Sequence, residues 1–164
     1  MFATSKNVHR TLIQIFDPWC KNHGFRRIGS AKCAYQRPLS SQPDRLLAFE
    51  VQCSSWGSAL SGSMFTLNAG AGISDVSNVH HRILKMLESQ ALDDARAIAD
   101  HVRQRHECLP QLSWAWASGN DQWCQYYDTE DVARWGNFIG LHVRVLLNQL
   151  LAMESLPPEA GLDH

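Results

Sequence analysis

The stretch Phe49–Gly72, FEVQCSSWGSALSGSMFTLNAGAG, limits what this chain can fold into more than any other part of it. Phe49, Val51 and Cys53 alternate with Glu50, Gln52 and Ser54. Phe65, Leu67 and Ala69 alternate with Thr66, Asn68 and Gly70. Successive side chains of a strand point to opposite faces, so this period of two predicts two antiparallel strands with one buried and one wet face. A Gly/Ser loop carrying Trp56 joins them.

Helical patterns flank this hairpin. Val8, Leu12, Ile15, Phe16, Trp19 and Cys20 form one stripe over Ser5–His23, with Ser5 or Asn7 as cap and Gly24 as the stop. Pro18 predicts a kink, or a restart capped by Asp17. Short strands are expected at Phe25–Ile28 and Lys32–Arg37. A helix is expected over Asp75–Ser89. Leu92, Ala95, Ile98, Ala99 and Val102 make a further helical stripe, although His101–Leu109 also reads as a strand. A last strand is expected over Gln122–Tyr127. The final helix starts at a Thr129 cap and carries a broad apolar stripe from Val132 to Leu151, with Gly136 and Gly140 placed for close packing against the sheet. The fold class expected is α+β: an antiparallel sheet of about four to five strands packed by N- and C-terminal helices. A chain of 164 residues predicts one domain, here 1–156, and a loose tail at 157–164 after Pro157-Pro158.

Several pieces stand in a definite order along the chain. Asn22-His23-Gly24-Phe25 closes the first helix, and Arg26, Arg27 and Tyr35 follow. Gln52-x-x-x-Trp56, Phe65-Thr66-Leu67-Asn68-x-Gly70 and Asp121-x-Trp123 come next. In this order they resemble an uncharacterised bacterial family, domain of unknown function 4304, over residues 5 to 130. The resemblance implies a small α+β domain and no assigned reaction. It also tilts His101–Leu109 toward strand. The chain departs from the family pattern at Cys124, where a second Trp is usual, and at Arg105-His106-Glu107-Cys108-Leu109-Pro110, which matches only in part an Arg–Gly–Leu strand before a Leu-Pro turn.

Composition narrows the function classes. The net charge is −1 at pH 7, which gives no overall attraction to nucleic acid or to an anionic membrane, so neither is expected as a partner. Arg26, Arg27, Lys32, Arg37 and Arg45 can form a basic edge with Tyr35 as a stacking surface, but edge-strand charge is also common protection against aggregation. No run approaches the ~20 apolar residues of a membrane helix. The five Cys lack CxxC spacing and read as reduced thiols, with a Cys33–Cys53 bridge conceivable on oxidation, and a cytoplasmic location is expected.

Catalytic and cofactor motifs are weak. The eight His show no metal-binding spacing, so no metal is expected. The serines around Trp56 form no nucleophile elbow. Gly70-Ala71-Gly72 lacks the rest of a phosphate-binding motif, and no cofactor is expected. Asp121, Asp128, Glu130 and Asp131 are close in sequence; the helix dipole explains Glu130 and Asp131, and only Asp121 has no structural reason beyond turn chemistry. Six Trp, several of them in loops, favour a contact surface or a Trp-rich core. The expected function is a non-enzymatic cytoplasmic protein-binding module of the inhibitor or immunity type. Trp56, Arg105, Asp121 and Trp123 are its candidate contact residues, and its partner is another protein. The alternative is a small hydrolase acting on a small or phosphorylated substrate, with Asp121 as acid or base, Arg105 as anion clamp and His106 as auxiliary base.

Overall fold

A computed structural model of the chain describes residues 1–40, 42–55, 57–72, 81–82, 84, 87–107 and 123–155. In chain order the elements are α1 (Ser5–Asn22), β1 (Arg26–Arg27), β2 (Ala34–Pro38), β3 (Leu46–Cys53), β4 (Ser63–Gly72), β5 (His81–Arg82), α2 (Ser89–Arg105), β6 (Cys124–Tyr126) and α3 (Thr129–Ser155). The sheet runs β1-β2-β3-β4-β5, entirely antiparallel, and β6 also pairs with β4. The fold is α+β, as the patterns imply. The sixth strand arises because β5 and β6 share one edge of β4, the first beside Asn68–Ala69 and the second beside Ser63–Phe65.

The β3–β4 hairpin sets the core. Its register pairs Phe49 with Ala69, Val51 with Leu67 and Cys53 with Phe65, so the apolar sets of both strands share one face. On that face the Phe49 ring meets Phe16 at 4.9 Å, Tyr35 at 5.0 Å and Phe25 at 6.0 Å between centroids. Such aromatic pairs add about 0.5–1.5 kcal/mol each beyond area burial. Val8, Leu12, Phe16 and Cys20 of α1 join Val132, Trp135 and Ile139 of α3 in the same buried cluster. Trp135 donates its indole N–H to the Gln125 carbonyl at 2.8 Å, which ties α3 to β6.

The opposite face is wet only in part. Glu50 and Gln52 of β3 are exposed, whereas Thr66 and Asn68 of β4 and Gln125 of β6 are buried. Burial of polar groups requires partners. Asn68 Nδ2 donates to Gln52 Oε1 at 2.7 Å, and Thr66 and Gln125 are engaged as well.

Helix α1 is continuous through Pro18. It is capped by Thr4, whose backbone N–H and hydroxyl both donate to Asn7 Oδ1, so Asn7 acts from the third helical position and not as the cap itself. At its other end the Phe25 N–H donates to the Cys20 carbonyl at 2.9 Å and the Gly24 N–H to the Lys21 carbonyl at 3.4 Å. This Schellman closure needs the left-handed φ of 76° that Gly24 supplies.

Two expectations are corrected, and one open choice is decided in part. His81–Arg82, inside the expected helix Asp75–Ser89, pair with β4 as a strand, because β4 extends far enough to offer a free edge there; residues 73–80 lie outside the described residues. Of the stretch 101–109, which reads both ways, residues 101–105 belong to α2, and 108–109 lie outside the described residues. Gly136 packs on α1 and not on the sheet: a Cβ there would stand 2.9 Å from Thr11 Cγ2. The expected tail also lies outside the described residues. No helix among the described residues is long and apolar enough to cross a membrane.

The two helix glycines separate propensity from packing. At Gly140 an added Cβ would meet only Ile15 Cγ2, at 3.9 Å. Gly140→Ala is expected to raise stability by up to about 1 kcal/mol through helix propensity. Gly136→Ala is expected to lower it by about 1–3 kcal/mol, because the stiff β-branched Thr11 must move. Urea unfolding of both variants checks this; equal gains would show that α1 and α3 are not held this close.

Candidate functional site

Among the described residues, two gatherings of titratable side chains bear on function. The first is the corner where the end of α2 meets the start of α3. Cations suit a helix C-terminus and anions an N-terminus, and here Arg105 in the last turn of α2 faces Asp128, Glu130 and Asp131. Asp128, not Thr129, caps α3. The Asp131 N–H donates to Asp128 Oδ1 at 3.0 Å, and the Asp128 N–H donates back to Asp131 Oδ2 at 3.3 Å, a reciprocal capping box. Asp131 is fully buried and also accepts the Tyr127 N–H at 2.9 Å.

Arg105 completes this corner. Its guanidinium forks onto Asp128, Nη1 to Oδ1 at 3.2 Å and Nη2 to Oδ2 at 3.0 Å. It also donates to Glu130 Oε2 at 2.8 Å and to Asp131 Oδ1. The hydrogen bond to Asp128 is the main force raising the Arg105 pKa; burial opposes it and the Asp131 charge adds to it. Burial pushes the Asp128 carboxyl up, but the Asp131 N–H and the Arg105 guanidinium outweigh it and hold Asp128 below its ordinary value. His106 Nε2 stands 2.9 Å from Asp131 Oδ2 and 3.7 Å from Asp128 Oδ2, without the alignment of a hydrogen bond to either. His106, Asp128 and Asp131 place one ligand atom each within 4.8 Å of one another, as a metal ion would need. Arg105 already supplies the positive charge there, so a cation would have to displace the guanidinium.

The second place is a cleft of about 740 Å³ between α1 and the end of β3. β2 begins only at Ala34, and the Val51 N–H donates to the Cys33 carbonyl at 2.9 Å, so the end of β3 runs past its neighbour. Ser5 and His9 of α1 line one side. Lys32 approaches from the segment before β2. Glu50, Gln52 and Cys53 come from β3, and Asn68 from β4. A niche of about 30 Å³ bounded by Ile28, Ala34 and Ala48 adjoins the cleft at Glu50 and Asn68.

His9 is fixed in this cleft by its surroundings. Its Nδ1 accepts the Cys33 backbone N–H at 3.1 Å. The neutral ring therefore carries its proton on Nε2, which lies 3.8 Å from Cys53 Sγ. A nitrogen that holds a proton cannot take one from the thiol, so the pair is not a nucleophile and its base. Burial pushes Cys53 up to about 12, which leaves almost no thiolate at neutral pH. Burial also lowers the His9 pKa, Lys32 lowers it further, and Glu50 opposes both. Lys32 and Glu50 are exposed, and neither side chain has an ion pair or hydrogen bond among the described residues.

Cys33 precedes Ala34, the partner of Glu50, and so stands beside Val51. Cys53 is therefore its diagonal neighbour, about 7–8 Å away, beyond the ~4.4–6.8 Å Cα separation of a disulfide. The register disfavours a Cys33–Cys53 bridge. Tyr35 is buried and donates its hydroxyl to Asp17 at 2.9 Å, so it offers no stacking surface.

Of the residues singled out in the sequence, Arg105 lies in the ion-pair corner and Trp123 is half-buried immediately before β6. Trp56 and Asp121 lie outside the described residues. Sequence reasoning missed the cleft. His9 sits beside the apolar stripe of α1, Lys32 reads as edge charge, and Glu50 reads as the wet face of a strand. Only their convergence marks them.

Removing the fork should leave the buried Asp131 short of a counter-charge. Arg105→Ala is expected to cost about 3 kcal/mol in urea unfolding, and Arg105→Lys to recover only part of it, since an ammonium cannot grip two carboxylate oxygens in parallel. A loss under 1 kcal/mol for Arg105→Ala would show that the corner is held by the α3 cap alone.

His9 predicts a pH effect of definite sign. The unfolded chain takes up a proton at this histidine near pH 6.5, whereas the folded chain does so only at a lower pH. Stability should fall as pH drops from about 6.5 to the lowered value, because the unfolded state then binds more protons. His9→Gln should flatten that part of the stability profile relative to the parent protein. An unchanged slope would mean that His9 titrates alike in both states.

The chain matches no family model, no curated protein and no solved structure.

Proposed function

We propose that the protein is a non-catalytic, cytoplasmic protein-binding module of the inhibitor or immunity type, and that its contact surface is centred on the cleft between α1 and β3. The observation that carries this reading is the pair of uncommitted charges on that cleft. Lys32 and Glu50 are exposed and unpaired among the described residues, whereas Arg105 is saturated by three carboxylates. Charges left free at a surface set partner choice and association rate more than they set stability. The cleft volume lies within the ~300–1,000 Å³ of small-ligand pockets, but such pockets are mostly apolar, and this lining is mostly polar. A polar, partly open cleft of this kind suits a hydrogen-bonding segment of another protein.

The hydrolase alternative is weakened by the same geometry. With its donors spent on Asp128, Glu130 and Asp131, Arg105 has little left to clamp a substrate anion. The proton on His9 Nε2 and the buried thiol of Cys53 leave that pair without a base or a nucleophile.

The test is capture of a stoichiometric partner from native cells by the tagged protein and by charge-reversed variants. Lys32→Glu and Glu50→Lys are each expected to weaken capture at least tenfold, since a like charge placed against a partner's charge is strongly unfavourable. Arg96→Glu, on the exposed side of α2, should leave it unchanged. Trp56→Ala and Asp121→Ala carry the contact residues named from the sequence into the same assay. Undiminished capture by both reversals would remove the cleft from the contact surface, and a folded protein that captures nothing would remove the binding-module reading.

A further inference from the structure

We propose that the α1–β3 cleft recognises a zwitterionic peptide, with its carboxylate held by Lys32 and its ammonium by Glu50. The inference rests on the reading of the cleft as a contact surface and names the chemistry it would accept.

Lys32 and Glu50 line one cleft yet form no ion pair with each other, so they stand farther apart than the 4.0 Å of a salt bridge. Two unlike charges held apart in one concavity are complementary to a ligand with unlike charges at its two ends. Lys32 can only donate and suits a carboxylate, whereas the His9 ring, fixed by the Cys33 N–H, gives its Nε2 proton to Cys53 Sγ at 3.8 Å. Glu50 is acceptor-only when ionised and suits an ammonium. Its charge also disfavours a polyanion such as a nucleotide, as Lys32 disfavours a dication.

Beside Glu50, whose cross-strand partner is Asn68, the cleft is lined by side-chain amides. Asn68 and Gln52 line it as a hydrogen-bonded pair, Nδ2 to Oε1 at 2.7 Å, and Asn68 is buried. An amide pair of this kind matches peptide groups better than it matches an aliphatic or aromatic ligand. The volume of about 740 Å³ leaves room for more than one residue. A free oligopeptide and a mixed-charge segment of a partner protein present the same chemistry, and blocked and unblocked probes separate them.

The experiment is calorimetric titration of the full chain with di-, tri- and tetraglycine, with their N-acetylated and C-amidated forms, and with an end-blocked peptide carrying one internal Lys and one internal Glu. At least one zwitterionic probe is expected to bind. Blocking one end should weaken binding about two- to fivefold, the scale of an exposed ion pair. Glu50→Gln should abolish the effect of N-acetylation and leave that of amidation. Lys32→Gln should do the reverse. Binding of the end-blocked peptide alone would assign the site to a partner's internal segment, and binding of the free oligomers alone would assign it to free peptides or chain ends. The proposal is overturned if no zwitterionic probe binds, or if blocked and free oligomers bind equally to the parent protein and to both variants. Both substitutions are on exposed side chains, and an unchanged melting temperature will verify that the fold is kept. Partner capture that depends on Lys32 and Glu50 while every peptide fails would leave the protein-binding reading standing and remove only this one.

Discussion

A carboxylate with no exposed surface dictates how the ends of this molecule meet. Burying an ionised Asp costs several kcal/mol unless charge and hydrogen bonds replace the lost water. Around Asp131 that water is replaced by the N–H groups of Tyr127 and Asp128 and by the Arg105 guanidinium. Each of these requirements positions another element. Tyr127 fixes the exit of β6, Asp128 fixes the start of α3, and Arg105 brings in the end of α2. The N-terminal segment belongs to the same corner, since Phe2 bridges to Asp128 and the Ala3 N–H donates to the Tyr127 carbonyl at 2.8 Å. Two residues later Ser5 begins α1 and lines the cleft. The buried carboxylate and the open cleft are therefore joined by a segment too short to let one be placed without the other.

What was legible in the sequence followed from period and from backbone chemistry. The alternation of Phe49–Cys53 against Phe65–Ala69 determines the buried face of the hairpin, because a slip of one residue would turn Phe49 and Leu67 into water. The glycine at position 24 was readable because only a residue tolerant of positive φ closes a helix in this way. The α3 cap was less legible: Asp128 and Thr129 are both capable, and the choice falls on Asp128 because Asp131, three residues on, can return its hydrogen bond. Gly136 announced a close approach but not its partner, which is Thr11 of α1 and not the sheet. The strand at His81–Arg82 was hidden for a different reason. Two residues carry no period, and what makes them a strand is the vacant edge of β4, a property of the assembled sheet. The cleft was equally hidden, because His9, Lys32 and Glu50 come from three segments that share no local pattern.

The two charged places follow opposite rules for one reason, solvation. At the corner Asp131 is out of water, so every charge near it must be paired, and the result is a saturated network that leaves little for a ligand. At the cleft Lys32 and Glu50 remain hydrated, and a hydrated charge needs no protein partner. An exposed ion pair between them would have contributed little stability, so leaving them apart costs the fold almost nothing. A ligand that bridges both charges gains contacts for which the folded chain has already positioned the groups, and positioning groups in advance lowers the entropic cost of binding. The cleft therefore has a charge order before any ligand arrives, a donor at Lys32 and an acceptor at Glu50. That order gives the site its selectivity: a ligand with a single charge, or with two like charges, can satisfy only part of it.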